Sequence, residues 1–341
     1  MKYLSSATDA IGDRWRALPK TARGFLTVTL IAGLVVLPMV QIPILNTPDT
    51  DFPSLLFDKI GLYVLMGIGL NVVVGKAGLL DLGYVAFFAI GGYTMAQLGT
   101  LLHWSFWLIL PIGVLVAMSA GAILGLPTLR LRGDYLAIVT LGFGEIIRIT
   151  AVNVDWLGAN RGVSNIPWPS AIGPLSFEDI LNPKPFYWLL LALIILVIWL
   201  LKRIDRSRVG RAWEAIREDE DAAELMGVQT LKFKLWAFSI GAGIGGMGGV
   251  LFASKVGFIS PDNFPLTLSV MFLAIVVLGG SGNIPGVVLG ALAISYIPER
   301  LRGFSEYRVL MFGAALVIMM NLRPQGLLPR RVRGQVATDG K

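Results

Sequence analysis

The sequence lacks cysteine, has a single histidine and is poor in charged residues. Charged residues occupy 15% of its 341 positions, whereas a soluble domain carries about a quarter. Without cysteine the chain cannot form a disulfide framework or a thiolate nucleophile, and His103 alone cannot complete a Cys/His metal cage. We therefore expect that the chain is not an enzyme and that it binds no metal or other cofactor.

The sequence also lacks a nucleotide-binding loop. Residues 241–246 fit the pattern G-x-G-x-x-G, but no strand precedes them, and Gly241, Gly245 and Gly249 recur at every fourth position of an apolar run. That spacing is typical of a close contact between two helices. No G-x-x-x-x-G-K-[ST] loop is present either. Any ATP hydrolysis coupled to this chain must therefore occur in another subunit.

Long apolar runs make up most of the sequence. Hydrophobic residues are 55% of the chain, and a bilayer core about 30 Å thick needs about 20 mostly apolar residues per helix. The net charge of +7 does not indicate nucleic-acid binding, because the basic residues lie between apolar runs rather than on one solvated face. The sequence predicts an all-α membrane protein with about ten transmembrane helices, at 25–45, 57–74, 79–99, 106–127, 135–154, 186–201, 235–255, 266–279, 286–298 and 309–321.

Two of these intervals flank a glycine-rich breaker. The residues 279–286 between the intervals 266–279 and 286–298 read GGSGNIPG. Such a cluster is compatible with a tight turn between two full spans or with an unwound, re-entrant segment inside the bundle. The sequence leaves both alternatives open, and both keep a hairpin over 266–298.

Lysine and arginine are concentrated on one predicted side of the membrane. These residues are retained on the cytoplasmic side of membrane proteins. With a cytoplasmic N-terminus, 21 of the 29 basic residues fall in cytoplasmic segments, seven fall in external segments and Arg148 lies within a span. We therefore expect both termini in the cytoplasm, with an N-terminal segment at 1–24, a transmembrane domain at 25–321 and a tail at 322–341.

Two predicted loops are long enough to have a function of their own. Residues 155–185 hold five prolines and few charges, so they form either a semi-rigid external surface for another protein, a lid, or a plain connector. Residues 202–234 are predicted to be cytoplasmic and contain 15 charged residues among 33. The composition of the second loop favours a docking site for a cytoplasmic partner.

The middle of the charged loop has the composition of a helix. Residues 212–226 contain no proline or glycine and are followed by Gly227, a typical helix stop. Trp213, Ile216, Ala223 and Met226 recur at helical spacing and predict one apolar stripe between charged faces. The sequence therefore predicts an amphipathic helix over 212–226.

Several motifs together resemble one family of transport proteins. Residues 221–227, DAAELMG, resemble the E-A-A-x-x-x-G loop by which permeases of ABC importers engage their ATPases, with Asp221 in place of the first Glu. The preceding residues 211–220 and four other segments are similar to permeases of the high-affinity branched-chain amino-acid ABC importers, the LivM type, over about residues 55–330. These segments are GLLDLGYVAFFAIG at 78–91, LRGDYLAIVTLGFGEIIR at 131–148, VVLGGSG at 276–282, and FSEYR at 304–308 followed by NLRPQGLLP at 321–329.

The resemblance implies a transport subunit of a multi-pass complex in a bacterial inner membrane. Its implied partners are a second related permease, two cytoplasmic ATP-binding subunits and a periplasmic amino-acid-binding protein, and its implied substrates are leucine, isoleucine, valine or related amino acids. Loop 202–234 is then the ATPase-coupling loop. Its candidate coupling residues are Trp213, Glu214, Arg217, Glu218, Asp219, Asp221, Ala222, Ala223 and Gly227.

Polar residues within or between the spans are candidates for the substrate pathway. Glu145 and Arg148 lie three residues apart in one predicted span, so they share a helix face and are expected to form an ion pair. That pair either has a structural role or lines the pathway. Asp81 lies in a glycine-punctuated break, where backbone groups face protein or a cavity. The candidate pathway residues are Asn71, Asp81, Tyr84, Phe88, Thr140, Glu145 and Arg148, although aromatic residues at helical spacing are usually core.

Three other functions remain open at this point. A permease of the same family for urea or short amides would share the docking loop and differ only in its pathway. An ion-coupled secondary transporter would use Asp81, Glu145 and Arg148 to bind or relay the ion, but it leaves the acidic docking loop unexplained. A membrane scaffold without transport activity would not need charged residues in the middle of a span.

Overall fold

The computed structural model describes residues 19–39, 52–129, 133–171, 177, 184–300, 313–314, 317, 321 and 326–328, and most of these residues are helical. The α-helices are α1 Lys20–Val36, α2 Phe52–Leu55, α3 Leu62–Leu70, α4 Val85–Leu101, α5 Phe106–Thr128, α6 Asp134–Asn153, α7 Lys184–Asp205, α8 Arg208–Glu218, α9 Glu220–Leu225, α10 Thr230–Val256, α11 Leu266–Gly279 and α12 Ile284–Arg300. The only β-structure in this part of the chain pairs β1 Val163–Ser164 with β2 Phe258–Ile259 in antiparallel register.

Six helical stretches in the described part of the chain are long and apolar enough to cross a membrane. They are Lys59–Lys76, Phe106–Thr128, Tyr135–Asn153, Lys184–Asp205, Thr230–Val256 and Pro261–Gly279. The shorter apolar helices Val28–Met39 and Val85–Leu101 accompany them. The predicted interval 309–321, like the segment 1–24 and the tail 322–341, lies largely outside the described residues. The chain is an all-α membrane protein.

Helix α10 forms the centre of the bundle and packs against α3, α4 and α5. Its glycines permit this packing, because a Cβ atom at Gly249 would lie 1.9 Å from the Phe88 carbonyl oxygen, and one at Gly241 would lie 2.5 Å from the Val73 side chain. A Cβ atom at Gly245 would lie 3.1 Å from that of Phe87. The predicted close contact between helices is therefore confirmed at all three glycines.

The span that contains α3 is irregular. Two π-helical segments, Leu56–Gly61 and Asn71–Lys76, flank α3 on either side. Short π segments within α-helices are rare and occur frequently at functional sites. After Lys76 the chain runs without helical structure to Tyr84, and Gly78 adopts φ +73°. The predicted glycine-punctuated break around Asp81 is therefore present.

The glycine-rich breaker is a tight turn between two continuous helices. Gly280 and Gly282 have φ angles of +110° and +87°, which side chains rarely tolerate, and residues 280–283 reverse the chain between α11 and α12. The helices approach so closely that a Cβ atom at Gly279 would lie 2.4 Å from the Gly286 carbonyl oxygen. Helix α11 itself has 14 residues and rises about 21 Å, so the stretch Pro261–Gly279 reaches the length of a span only with the residues that precede α11.

The predicted helix over 212–226 is interrupted. Asp219 adopts an extended conformation, with φ −157° and ψ 111°, and separates α8 from α9. The interruption arises because the Asp219 side chain accepts a hydrogen bond from the Ala222 backbone N–H at 2.9 Å and caps a new helix. Gly227 ends the second helix with φ +85°, as predicted. The prediction of one continuous helix was wrong.

Candidate functional site

Helices α8 and α9 form a compact pair at one end of the bundle, which we call the α8–α9 end. Ser207 caps α8 by accepting a hydrogen bond from the Val209 backbone N–H at 3.1 Å. The Trp213 side chain is 1% exposed, and its indole Nε1–H donates to the Phe233 carbonyl oxygen at 2.7 Å. Glu220 in α9 pairs with the buried Lys234 in α10. These contacts hold the helix pair against the start of α10.

The predicted apolar stripe is only partly present. Trp213, Ile216 and Ala223 are buried, but the Met226 side chain is 85% exposed because it follows the last residue of α9. Its neighbour Leu225 is 88% exposed. Met226 therefore does not continue the stripe that Trp213, Ile216 and Ala223 form.

The surface of the helix pair is acidic with an apolar tip. Glu218, Asp219, Asp221, Ala222 and Gly227 are exposed, and Glu214 is partly exposed. Glu224 is exposed beside Leu225 and Met226. Two large apolar side chains are thus exposed among acidic residues of the same helix pair. Of the candidate coupling residues, the structure therefore places six at least partly on this surface, whereas Trp213 and Ala223 point inwards.

Arg217 is directed at the bundle rather than at this surface. Its guanidinium donates to the Gly75 carbonyl oxygen and, at 3.1 Å, to the Ser281 hydroxyl. A second link at the same end is the ion pair between Lys76 and Asp205, at the end of α7. These contacts connect the region around α8 with two breaks in the bundle, the π segment 71–76 and the turn 280–283.

Three of the candidate pathway residues are buried polar groups: Asn71 in the π segment, Asp81 in the non-helical stretch after it, and Thr140 in α6. Asn71 Oδ1 accepts a hydrogen bond from the Gly282 backbone N–H at 2.7 Å, and Asp81 Oδ1 accepts one from the Gly83 N–H at 2.8 Å. Thr140 Oγ1 accepts a hydrogen bond from the Leu82 N–H at 3.0 Å. Within the described part of the chain, Asn71 Nδ2 and Asp81 Oδ2 are buried without a hydrogen-bond partner.

Tyr84 and Phe88 lie in an aromatic core. The Tyr84 hydroxyl donates to the Gly241 carbonyl oxygen at 2.9 Å, and its ring packs edge-on against Phe87 and Phe272. The Phe88 ring packs against Phe252, Phe264 and Phe272. Both side chains are at most 2% exposed. Their surroundings are those of core residues.

Glu145 and Arg148 form the predicted ion pair within α6. The Arg148 Nε lies 3.1 Å from each Glu145 carboxylate oxygen. The two side chains are 39% and 32% exposed, and they are accompanied on α6 by the exposed side chains of Tyr135, Ile138, Ile146 and Ile149. The pair therefore does not join two helices of the described bundle but lies on one of its outer faces.

The opposite end of the bundle, which we call the β1–β2 end, is held by strand pairing, by hydrogen bonds from uncharged side chains, and by an ion pair at 2.8 Å between Lys59 and the buried Glu299. Besides the pairing of β1 with β2, the Ile166 N–H donates to the Gly257 carbonyl oxygen at 3.1 Å. Ser254 and Trp107 donate from their side chains to the carbonyl oxygens of Pro167 and Ser170, at 2.9 and 3.1 Å. Residues 155–171 thus cover this end as an ordered layer.

Comparison with known proteins gives the family of this fold. A family model described as "Branched-chain amino acid transport system / permease component" matches residues 54–320. The chain belongs to this family. It is a transport subunit, a permease, and the polar elements described above are therefore parts of a transport protein that crosses the membrane several times.

Individual relatives carry similar names. The chain is 45% identical to the high-affinity branched-chain amino acid transport system permease protein LivM of Escherichia coli K12, over 79% of this chain and 68% of the relative. A probable branched-chain amino acid transport permease protein LivM of Methanocaldococcus jannaschii is 26% identical, over 82% and 94%. The autoinducer 2 import system permease protein LsrC of Yersinia pseudotuberculosis is also 26% identical, over 73% and 69%. No solved structure matches the chain significantly.

Sequence reasoning missed the links that fix the α8–α9 end. Lys76 contacts a residue 129 positions away, and Arg217 contacts one 64 positions away. No periodicity reports such distant pairs. The sequence did offer one signal. Charged residues are rare in it, and a Lys or Asp close to an apolar span needs a partner, so each such residue was a candidate for a long-range contact.

Proposed function

We propose that the chain is one permease subunit of an ATP-driven importer for leucine, isoleucine, valine or related amino acids in a bacterial inner membrane. The observation that carries this proposal is the α8–α9 pair, which is fixed to the bundle through Trp213 and presents Leu225 and Met226 among carboxylates. Family membership and the branched-chain amino acid named for the 45% identical relative support the choice of substrate.

The α8–α9 end lies in the cytoplasm under this proposal. The strong excess of Lys and Arg in the segments at this end supports that orientation. Two ATP-binding subunits then hydrolyse ATP on the cytoplasmic side. One docks on the exposed α8–α9 surface of this chain, and the other docks on the partner permease. The chain itself holds no nucleotide. The described helices belong to a set of about ten spans, with both termini in the cytoplasm.

A second, related permease covers the outer face of α6. A charged pair in the middle of a span is costly where it faces lipid, so residues of this kind normally face protein or a water-filled cavity. Glu145 and Arg148 are about one third exposed within this chain, and the surrounding α6 side chains are apolar. The substrate pathway then runs between the two permeases past this ion pair, where a zwitterionic amino acid can exchange charge partners with it.

Transport follows from alternating access. Closure of the ATPases moves the α8–α9 pairs, and the bundle changes between outward and inward openings, because ATP binding favours one of the two states. A periplasmic binding protein delivers the amino acid at the β1–β2 end, where residues 155–171 form an ordered surface.

The decisive experiment is co-purification of the chain with its ATP-binding subunits from a native-like membrane. We expect stoichiometric ATPase subunits with the wild-type chain and their loss when residues 219–224 are deleted. The exposed α10 residue Lys232 supplies a control, because Lys232→Ala leaves α9 intact and retains the ATPases. An insertion-competent deletion variant that still showed normal ATP turnover stimulated by the binding protein would contradict the proposal.

Uptake assays separate the alternative substrates and energy sources. With the cognate binding protein in proteoliposomes, we expect accumulation of labelled leucine that depends on ATP and not on a sodium or proton gradient. Uptake of urea or a short amide, with no leucine uptake, would show that the proposed substrate class is wrong, but it would not contradict the proposed coupling to ATP hydrolysis. Uptake driven by an ion gradient without ATPases would favour the secondary transporter.

A charge-neutral double substitution, Glu145→Gln with Arg148→Gln, tests the pathway. We expect a loss of leucine uptake with the ATPases still bound, because the substitution removes both charges, keeps the size of the Glu145 side chain and leaves a shorter polar side chain at 148. Normal uptake by this variant would show that the ion pair between Glu145 and Arg148 is not part of the substrate pathway.

A further inference from the structure

A single side chain bridges α8 to two separate breaks in the bundle. The Arg217 guanidinium donates through Nη1 to the Gly75 carbonyl oxygen in the π segment 71–76, and through Nη2 to the Ser281 hydroxyl at 3.1 Å. The aliphatic part of Arg217 also lies beside Gly78, where an added Cβ atom would be 3.1 Å from the Arg217 Cγ. Arginine suits this position because its planar fork has several donors in a fixed geometry.

The electrostatics of the site favour a permanent cation. Gly75 belongs to the last turn of the π segment, and Ser281 lies two residues after the end of α11. The carbonyl groups at a helix C-terminus carry a partial negative charge, which stabilises a nearby cation. One guanidinium therefore contacts a carbonyl group at the C-terminal end of the π segment and lies close to the C-terminal end of α11, where it contacts the Ser281 hydroxyl.

The two breaks are already joined to each other. Asn71 Oδ1 accepts a hydrogen bond from the Gly282 backbone N–H at 2.7 Å. The backbones are close enough that a Cβ atom at Gly75 would lie 2.4 Å from the Gly282 nitrogen. A displacement of Arg217 therefore acts on the π segment and on the α11–α12 turn together.

We propose that Arg217 is the positioning residue that transmits movement of the α8–α9 pair to the π segment 71–76 and the turn 280–283. The proposal rests on the proposed docking of ATPases to α8–α9, and it gives Arg217 a role different from ATPase contact. Glu218, Asp221, Leu225 and Met226 bind the motor subunit, whereas Arg217 connects the bound helices to the bundle. The ends of two membrane helices then move whenever α8 moves.

The test compares Arg217→Ala and Arg217→Lys with a control on the same helix. Arg211→Ala is the control, because Arg211 is exposed and its guanidinium makes a single long hydrogen bond within the described part of the chain, at 3.5 Å to the Arg206 carbonyl oxygen. Each variant is purified as the full complex in proteoliposomes. Three quantities are measured: the ATPase content, the basal ATP turnover, and the stimulation of ATP turnover by substrate-loaded binding protein.

We expect Arg217→Ala to keep its ATPases and its basal turnover but to lose stimulation and uptake by about tenfold or more, the effect of losing charge-assisted hydrogen bonds. Arg217→Lys keeps the charge but not the fork, so its loss is smaller. Ser281→Ala should add little to Arg217→Ala, because the two side chains act through one contact. Arg211→Ala should match the wild type.

Three results would overturn the proposal. Loss of the ATPases from Arg217→Ala would make Arg217 a docking residue, and full stimulation in Arg217→Ala would show that the bridge transmits nothing. Additive effects of Arg217→Ala and Ser281→Ala would show that the two side chains act separately. Failure of the proposed function is distinct from these results, because the wild-type chain would then bind no ATPase.

Hydrogen exchange on the full chain purified without its partners supplies a measurement that does not need the ATPases. We expect the backbone amides of residues 71–76 and 280–283 to exchange about tenfold faster in Arg217→Ala than in Arg211→Ala. Unchanged exchange at both breaks would contradict the bridge, even in a variant with reduced activity.

Discussion

The two ends of the bundle differ in how many of their long-range contacts are made by charged side chains. At the α8–α9 end the links between distant segments are made by charged or indole side chains, in Lys76–Asp205, Lys234–Glu220, Trp213 to Phe233, and Arg217 to Gly75 and Ser281. At the β1–β2 end strand pairing and hydrogen bonds between uncharged groups predominate, and the Lys59–Glu299 pair is the one ion pair that the structure describes there. Side-chain links can break and re-form one at a time, whereas a short ladder of backbone groups favours one arrangement. We therefore expect movement at the first end and a more fixed geometry at the second.

The largest expected effect comes from removing the anchor of α8. Trp213→Ala deletes a side chain that is 1% exposed together with its hydrogen bond to Phe233, a change that costs about 3–5 kcal/mol. We expect α8 and α9 to detach while the β1–β2 end stays folded. Limited proteolysis should then cut between 206 and 229 and spare 155–171. Simultaneous cleavage at both ends would show that the two ends are not independent.

A smaller effect is expected at the ion pair between Lys76 and Asp205. The Lys76 side chain is 7% exposed and that of Asp205 is 41% exposed, so solvent weakens the pair and its loss costs about 1–3 kcal/mol. Lys76→Asp alone should lower the melting temperature and the ATP-coupled uptake. The double variant Lys76→Asp with Asp205→Lys should recover part of both. If the double variant recovered neither the melting temperature nor the uptake, the α8–α9 end would not depend on the ion pair between positions 76 and 205.

The opposite end can be tested at Gly162. This residue has φ +72° and ψ −176°, and a Cβ atom would lie 2.4 Å from the Ile259 carbonyl oxygen. Gly162→Ala should therefore destabilise the β1–β2 end by about 1–3 kcal/mol, as measured by thermal unfolding in detergent. Gly33→Ala, in α1 with open space around it, is the matched control and should be neutral or slightly stabilising. Equal melting temperatures for both variants would argue against a fixed β1–β2 end.

The smallest expected effect is a difference in salt sensitivity. Screening weakens partly exposed ion pairs but has little effect on hydrogen bonds between neutral backbone groups. Raising the ionic strength should therefore accelerate hydrogen exchange in residues 205–234 by a few-fold and leave residues 163–171 almost unchanged. An equal response at both ends would remove the contrast between them.

The sequence predicted the membrane class because apolar length is a direct physical requirement of a bilayer. It also predicted the packing of α10, since glycines at every fourth position permit close approach of helices. It did not predict the interruption at Asp219, because capping by an aspartate within a helical pattern depends on local backbone geometry. Arg217 was assigned to the coupling loop, but its direction towards Ser281 depends on the placement of two distant turns.

The glycines of α10 also determine which parts of the molecule can act as separate moving bodies. At Gly249 and Gly246 the backbone of α10 approaches α4 and α5 so closely that Cβ atoms would lie 1.9 Å from the Phe88 carbonyl oxygen and 2.4 Å from the Ala117 Cβ. Because main chains in such close contact collide when they slide, we expect these three helices to move as one rigid block. We then expect an opening through the membrane to form along the borders of this block.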